Sequence, residues 1–168
     1  MNIVIDTREK YPLDFFGHEI TRIKLDEGDY CTLDLLEYEK STGEKTVRIE
    51  RKRNTGELSI NLGKDFKRFE NELSRLFSYK RKVLLCEFTY DDILSFPENS
   101  GIPKSRWYRK SKSGKVVRNV KMTPKDLLNK LEYIENIYEI EIIYAGDSYN
   151  AAQKAEDILN DFEKEVKR

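Results

Sequence analysis

The 168-residue sequence has one histidine, His18, and two cysteines, Cys31 and Cys86. A zinc centre takes about four Cys, His or carboxylate ligands, and no CxxC pair or second histidine is present to supply them. The lone cysteines read as buried, reduced thiols. His18 lies in the polar stretch Gly17-His18-Glu19 with no nucleophile elbow beside it, which leaves Ser-His or Cys-His catalysis hard to assemble. No P-loop or GxGxxG turn occurs. No apolar run approaches the roughly 18 residues that span a bilayer. In the first ten residues Asp6 stands where a secretory signal would carry apolar residues, so the expected location is cytoplasmic, with no membrane partner. Charge of one sign is missing too, since 31 basic and 31 acidic residues cancel.

Carboxylates and lysines are what the chain has in quantity, so an enzyme built from it would favour oxygen-ligated hard metals such as magnesium. Ten tyrosines and eight phenylalanines argue against disorder and for a folded core. Residues 2–6 read as a buried strand, residues 7–18 as loop, and 19–25 as a second strand. Gly28-Asp29-Tyr30 turns into a third strand over 30–38. A polar hairpin tip at Lys40-Ser41-Thr42-Gly43 returns the chain as a fourth strand over 46–52, completing an antiparallel meander. Phe66, Phe69, Leu73, Leu76 and Phe77 share one helical stripe. Residues 82–88 form a fifth strand covered on both faces. A helix over 124–136 starts from Thr123 as N-cap and Pro124, a sixth strand covers 139–144, and a last helix covers about 148–166. The expected fold is α/β: one domain with a mixed central sheet of about six strands flanked by helices.

Residues 97–121 carry eight basic residues against the single acid Glu98. Lys104, Arg106, Arg109, Lys110, Lys112, Lys115 and Arg118 interleave with Trp107 and Tyr108 in a loop-like stretch. Basic charge mixed with aromatics suits a phosphate backbone and exposed bases; a solvated insertion with no partner is the plainer alternative.

Strand alternation over Val47-Arg48-Ile49-Glu50-Arg51-Lys52 sends Glu50 and Lys52 to one face. Folding the expected hairpin brings Asp29 beside Glu50, and Asp6 ends the first strand nearby. Two carboxylates and an ammonium in one notch can hold a hard divalent cation and stabilise a developing oxyanion. The same spacing fits a surface ion pair equally well.

The ordered pieces Ile5-Asp6-Thr7-Arg8-Glu9, Gly28-Asp29-Tyr30 and Ile49-Glu50-Arg51-Lys52 resemble the nuclease domain of XPF/Mus-type structure-specific endonucleases, within the PD-(D/E)xK superfamily. Glu57-Leu58, Arg68-Phe69 with Glu72-Leu73, and Val83 to Phe88 follow in the family's order, and the resemblance covers about residues 2–92 and 123–165. It implies Asp29 and Glu50 as metal ligands, with the Arg51 carbonyl as a third and Asp6 completing the shell directly or through water. Lys52 would face the attacking water or the scissile phosphate, and Arg8, Glu9 and Arg51 would orient phosphate and carboxylates. The implied cofactor is Mg2+, with Mn2+ as substitute. The implied reaction is hydrolysis of DNA, at branched or single-strand/double-strand junctions.

Three departures from the pattern stand out. The family's acid four positions after the lysine is replaced by Gly56, with Glu57 next, and 97–121 has the character of an insertion. The helix-hairpin-helix module that commonly follows is not in the sequence, which implies a stand-alone form of the kind found in bacterial, viral or mobile-element settings. The family also contains non-catalytic DNA-binding subunits; intact Gly-Asp and Glu-Arg-Lys motifs favour catalysis here. Family domains pair through late helices, and the apolar stripe of 151–166 would permit a homodimer. Arg68 and Glu72 read as an i,i+4 surface pair, and Glu87 as a supporting carboxylate at most.

Overall fold

The computed structural model describes residues 1–168. Its strands are β1 (Asn2–Asp6), β2 (Glu19–Ile23), β3 (Tyr30–Thr32), β4 (Val47–Lys52), β5 (Arg81–Cys86), β6 (Tyr108–Lys110), β7 (Val116–Arg118) and β8 (Glu141–Tyr144). Six of them form one sheet in the order β2-β1-β3-β4-β5-β8, and β6 and β7 form a separate hairpin. Within the sheet only β3 runs against its neighbours; β1 pairs with β2, β4 with β5, and β5 with β8, all in parallel. The mixed six-stranded α/β fold is therefore as expected, but the opening antiparallel meander is not.

The meander fails at residue 33. Alternation of Cys31, Leu33 and Leu35 imitates a strand, yet β3 ends after three residues and α1 (Leu33–Thr42) begins. Thr32 caps α1 by accepting from Leu35 N, which satisfies one of the N–H groups a helix start leaves open. Gly43, expected as a hairpin tip, is the left-handed residue that closes the helix, with its N–H bonded to Glu39 O. The connection from β3 to β4 is thus a helix, and the two strands remain antiparallel neighbours.

Helices cover both faces of the sheet. On one face α1 and α6 (Ser148–Val166) enclose a core of Ile3, Ile5, Leu35, Ile49, Val83 and Leu85 with Ala152, Ala155, Leu159 and Phe162. The apolar stripe of α6, expected to permit a homodimer, is spent on this core. On the other face α2 (Thr55–Leu62), α3 (Phe66–Leu76), α4 (Tyr90–Leu94) and α5 (Pro124–Tyr138) pack Leu58, Leu62, Phe69, Leu73, Ile93, Leu127 and Leu131 over Leu84 and Cys86. Phe77, placed on the α3 stripe by periodicity, lies past the helix end and is exposed. Both cysteines are buried and free. No helix is long and apolar enough to cross a membrane.

Residues 97–121, expected as loop-like, carry three short elements within a stretch that is otherwise turns and loop. A 3-10 turn at Lys104–Arg106 leads into the β6–β7 hairpin, whose pairing runs from Tyr108 with Arg118 to Lys110 with Val116. Trp107 anchors its base: its carbonyl accepts from Asn119 N and Val120 N, and its indole N–H donates to Ile102 O at 2.9 Å.

Candidate active site

Because β3 is the reversed strand, it starts where β1 and β4 end. Asp29, just before β3, is held there by backbone bonds from Asp6 N to Asp29 O (2.9 Å) and from Asp29 N to Ile49 O (2.8 Å). Gly28 makes the approach possible. Its φ is +72°, and a Cβ would sit 3.1 Å from Ile49 O and 3.3 Å from the Arg48 Cβ. A side chain there would meet both backbone strain and the neighbouring strand.

β4 then divides its residues between the two faces as alternation requires. Glu50 and Lys52 point to the α3 side, where Lys52 Nζ lies 2.7 Å from Glu50 Oε1, 3.9 Å from Glu57 Oε1 and 4.9 Å from the centre of the Phe69 ring. Burial lowers the Lys52 pKa, but the charges of Glu50 and Glu57 outweigh it and hold the ammonium above its ordinary range. Arg51 takes the opposite face and is clamped by Glu9 at 3.0 Å and by Glu87. Glu87, reached by the parallel continuation of β5, is therefore a full partner of the site.

Asp29 and Glu50 are half-buried neighbours. Asp29 Oδ2 accepts from Arg51 N at 2.8 Å, and Glu50 Oε1 accepts from Lys52, which leaves Asp29 Oδ1 and Glu50 Oε2 without a protein donor. Burial, and then the charge of Glu50, raise the Asp29 pKa well above the ordinary carboxylate range. Glu72 of α3 also lines the cleft: burial and Glu50 raise its pKa too, and it keeps the expected i,i+4 pair with Arg68 at 3.8 Å.

Asp6 is differently engaged. Its Oδ1 accepts from Arg8 N and Arg8 Nε, both at 2.7 Å, and its Oδ2 from Arg8 Nη2 (3.0 Å) and Leu25 N (2.6 Å). Burial would raise its pKa, but these bonds hold it below the usual value. With both oxygens committed, Asp6 aims Arg8, whose side chain is 59% exposed; a direct third metal carboxylate there does not fit this geometry.

Asp6, Arg8, Glu9, Asp29, Glu50, Arg51, Glu57 and Glu72 help line a cleft of about 460 Å³ with eight acidic side chains against five basic ones, and Lys52 is buried beside Glu50 behind that lining. No group of three or more His, Cys, Asp and Glu side chains is gathered as a metal centre. Two open carboxylate oxygens in an acid-rich cleft nonetheless fit a hard cation such as magnesium, which is commonly held by one or two carboxylates and keeps several waters. Gly56 also has a structural cause. Its N–H donates to Ser100 O at 3.0 Å, and a Cβ at residue 56 would lie 2.3 Å from that oxygen. The loop before the basic hairpin therefore occupies the space an acid at 56 would need, and Glu57 is the acid that reaches Lys52.

Fold and site define the class to which the sequence belongs. The chain is a member of the ERCC4 domain family, whose model matches residues 5–155, the family of the XPF nuclease. Two solved structures of XPF from Aeropyrum pernix share its fold. One has a TM-score of 0.58 at 17% identity and covers 95% of this chain and 64% of that one. The other, described as a complex with DNA, has a TM-score of 0.61 at 16% identity, covering 98% and 66%. The chain thus spans just under two thirds of each of those structures. No curated protein matches it.

Gly28→Ala should cost about 1–2 kcal/mol from the left-handed backbone alone, read as a lower urea midpoint. Asp29→Asn should do the opposite in chelator. An unfolded aspartate ionises near pH 4, about its ordinary value, whereas the folded one keeps its proton to higher pH, so wild-type stability falls as pH rises through that interval. The asparagine variant should melt at a higher temperature than wild type at neutral pH, with the gap closing near pH 4. An equal or lower melting temperature at neutral pH would contradict the account of a repelled carboxylate pair.

Proposed function

We propose that the chain is a metal-dependent endonuclease that hydrolyses DNA phosphodiester bonds, with preference for branched or single-strand/double-strand junction DNA. The observation that carries this reading is the half-buried pair Asp29 and Glu50 beside Lys52, each carboxylate with one oxygen open to an acid-rich cleft. Family membership supports nuclease chemistry, and the relative solved with DNA supports the substrate class.

In this reading Asp29 and Glu50 hold Mg2+, or Mn2+ in its place, with the Arg51 carbonyl as a further oxygen. The bound cation supplies Lewis-acid polarisation and activation of water. Lys52, kept protonated by Glu50 and Glu57, balances the charge that develops on the phosphate. Arg51 fixes Asp29 through its backbone N–H, while Glu9 and Glu87 immobilise its side chain. Arg8 offers its exposed guanidinium to a phosphate oxygen, in an orientation set by Asp6.

The β6–β7 hairpin is the arm that holds the DNA backbone. Lys104, Arg106, Arg109, Lys110, Lys112, Lys115 and Arg118 are all exposed on or beside it, and a two-stranded ribbon is narrow enough to enter a major groove. Trp107, engaged with Ile102 O, serves as its anchor, and Tyr108 is the exposed ring there.

Asp29→Asn, Glu50→Gln and Lys52→Ala should each lower cleavage of labelled fork and flap substrates in magnesium by about 100–1,000-fold while leaving DNA affinity nearly intact. Manganese should substitute, and calcium should bind without efficient turnover. Full activity in excess chelator, or in the Asp29 and Glu50 variants, would overturn the assignment. Replacing Lys110, Lys112 and Lys115 together by alanine should weaken binding to every DNA and reduce the salt slope by up to about 0.9 log unit per lost duplex phosphate contact. An unchanged slope in anisotropy titrations would remove the hairpin from the DNA interface.

A further inference from the structure

One side chain at the mouth of the cleft is out of keeping with its surroundings. Tyr11 is the only aromatic residue among those lining the site, and it is 62% exposed. The Arg53 guanidinium lies over its ring, 4.5 Å from the centroid. With one face covered by a planar cation and most of the residue open, the other face of the ring is free.

The backbone that carries the ring is also tied to the groups of the site. Tyr11 N donates to Glu9 Oε1 at 2.9 Å, and the same oxygen lies 3.0 Å from Arg51 Nη1. Arg51 in turn donates its backbone N–H to Asp29. Arg53 follows Lys52 directly, and its backbone N–H donates to Glu57 Oε2 at 3.0 Å, the carboxylate whose other oxygen faces Lys52. Both halves of the pair are thus tied by single side chains to the groups around Asp29 and Lys52. The positive guanidinium remains available to a phosphate while the ring offers a π-face.

We propose that Tyr11, backed by Arg53, is a stacking platform for an unpaired nucleobase next to the scissile phosphate. It is thereby a residue that makes the site favour junctions over continuous duplex. A paired base has both faces occupied by its neighbours, whereas a base at a fork or flap has one to give, and aromatic stacking accepts any base because each has a π-face. Arginine on the far side of the ring adds to this as a cation over an aromatic face. The inference rests on the nuclease reading above and deepens it.

The test compares wild type, Tyr11→Ala, Tyr11→Phe and Tyr11→Trp on matched fork and duplex oligonucleotides carrying 2-aminopurine at the first unpaired position. Binding is measured in calcium and cleavage in magnesium. Tyr11→Ala should lower the fork-to-duplex affinity ratio by about 5- to 150-fold, the range expected for one lost base stack, and abolish quenching of the 2-aminopurine. Phenylalanine and tryptophan should keep both, since the ring and not the hydroxyl carries the contact. Thermal melts should agree across the variants because the side chain is exposed. An alanine variant with the wild-type ratio and quenching overturns the platform, and so does a phenylalanine variant as impaired as alanine, or a wild type that binds fork and duplex alike. Absence of magnesium-dependent cleavage in wild type would instead count against the nuclease reading, because the binding ratio and quenching are read without turnover.

Discussion

A three-residue strand that runs against both of its neighbours decides where chemistry can occur in this fold. Because β3 starts where β1 and β4 stop, Asp29 stands among the ends of two other strands, and Asp6 and Glu50 come within its reach. Were β3 parallel like the other pairs, its first residue would face the opposite edge of the sheet. The helix α1 that separates β3 from β4 has room to reverse the chain without altering this alignment, and Gly28 lets the backbone lie against β4 just before Asp29. The site is in that sense a property of strand direction before it is a property of side chains.

Electrostatics then sort the charged residues into two roles. Asp6, Glu9 and Glu87 are satisfied by arginines, and such pairs fix geometry. Asp29, Glu50 and Glu72 outnumber the one buried ammonium beside them, and the raised pKa values of Asp29 and Glu72 register the imbalance. A fold optimised only for stability would not retain like charges side by side in a half-buried cleft. Unresolved repulsion of this kind is common at functional sites.

Much of this was legible in the sequence, and the failures have physical causes. β1 and β5 announce themselves as continuous apolar runs, and α5 by its Thr123 cap and Pro124, which the structure bears out together with a reciprocal bond from Thr123 N to the Asp126 carboxylate. The juxtaposition of Asp29, Glu50 and Lys52 followed from alternation in β4 and from antiparallel pairing with the strand after Asp29, although the connection expected as a hairpin is the helix α1. α1 was misread because Leu33 and Leu35 alternate like a strand, and only the cap at Thr32 tips the balance. α2 gave too little signal, with only Leu58 and Leu62 buried among its large apolar residues and Ile60 on the exposed side of a short segment. Tyr11 escaped notice, and Glu72 and Glu87 read as no more than a surface pair and a supporting carboxylate, for a different reason. Each comes to the cleft from another element, and only tertiary packing decides which way a carboxylate on a helix or a tyrosine in a loop will turn. The full engagement of Asp6 was equally invisible, since Leu25 N reaches it from 19 residues away.

The bond from Gly56 N to Ser100 O joins the site to the basic arm. A Cβ at position 56 would lie 2.3 Å from that carbonyl, so a side chain there and the loop that leads to the arm cannot share this corner unless one of them shifts. The arm is thus seated against the first turn of α2, whose Glu57 is the carboxylate that faces Lys52. A displacement of the arm on meeting a ligand would be passed through this single bond to the helix start beside the buried ammonium.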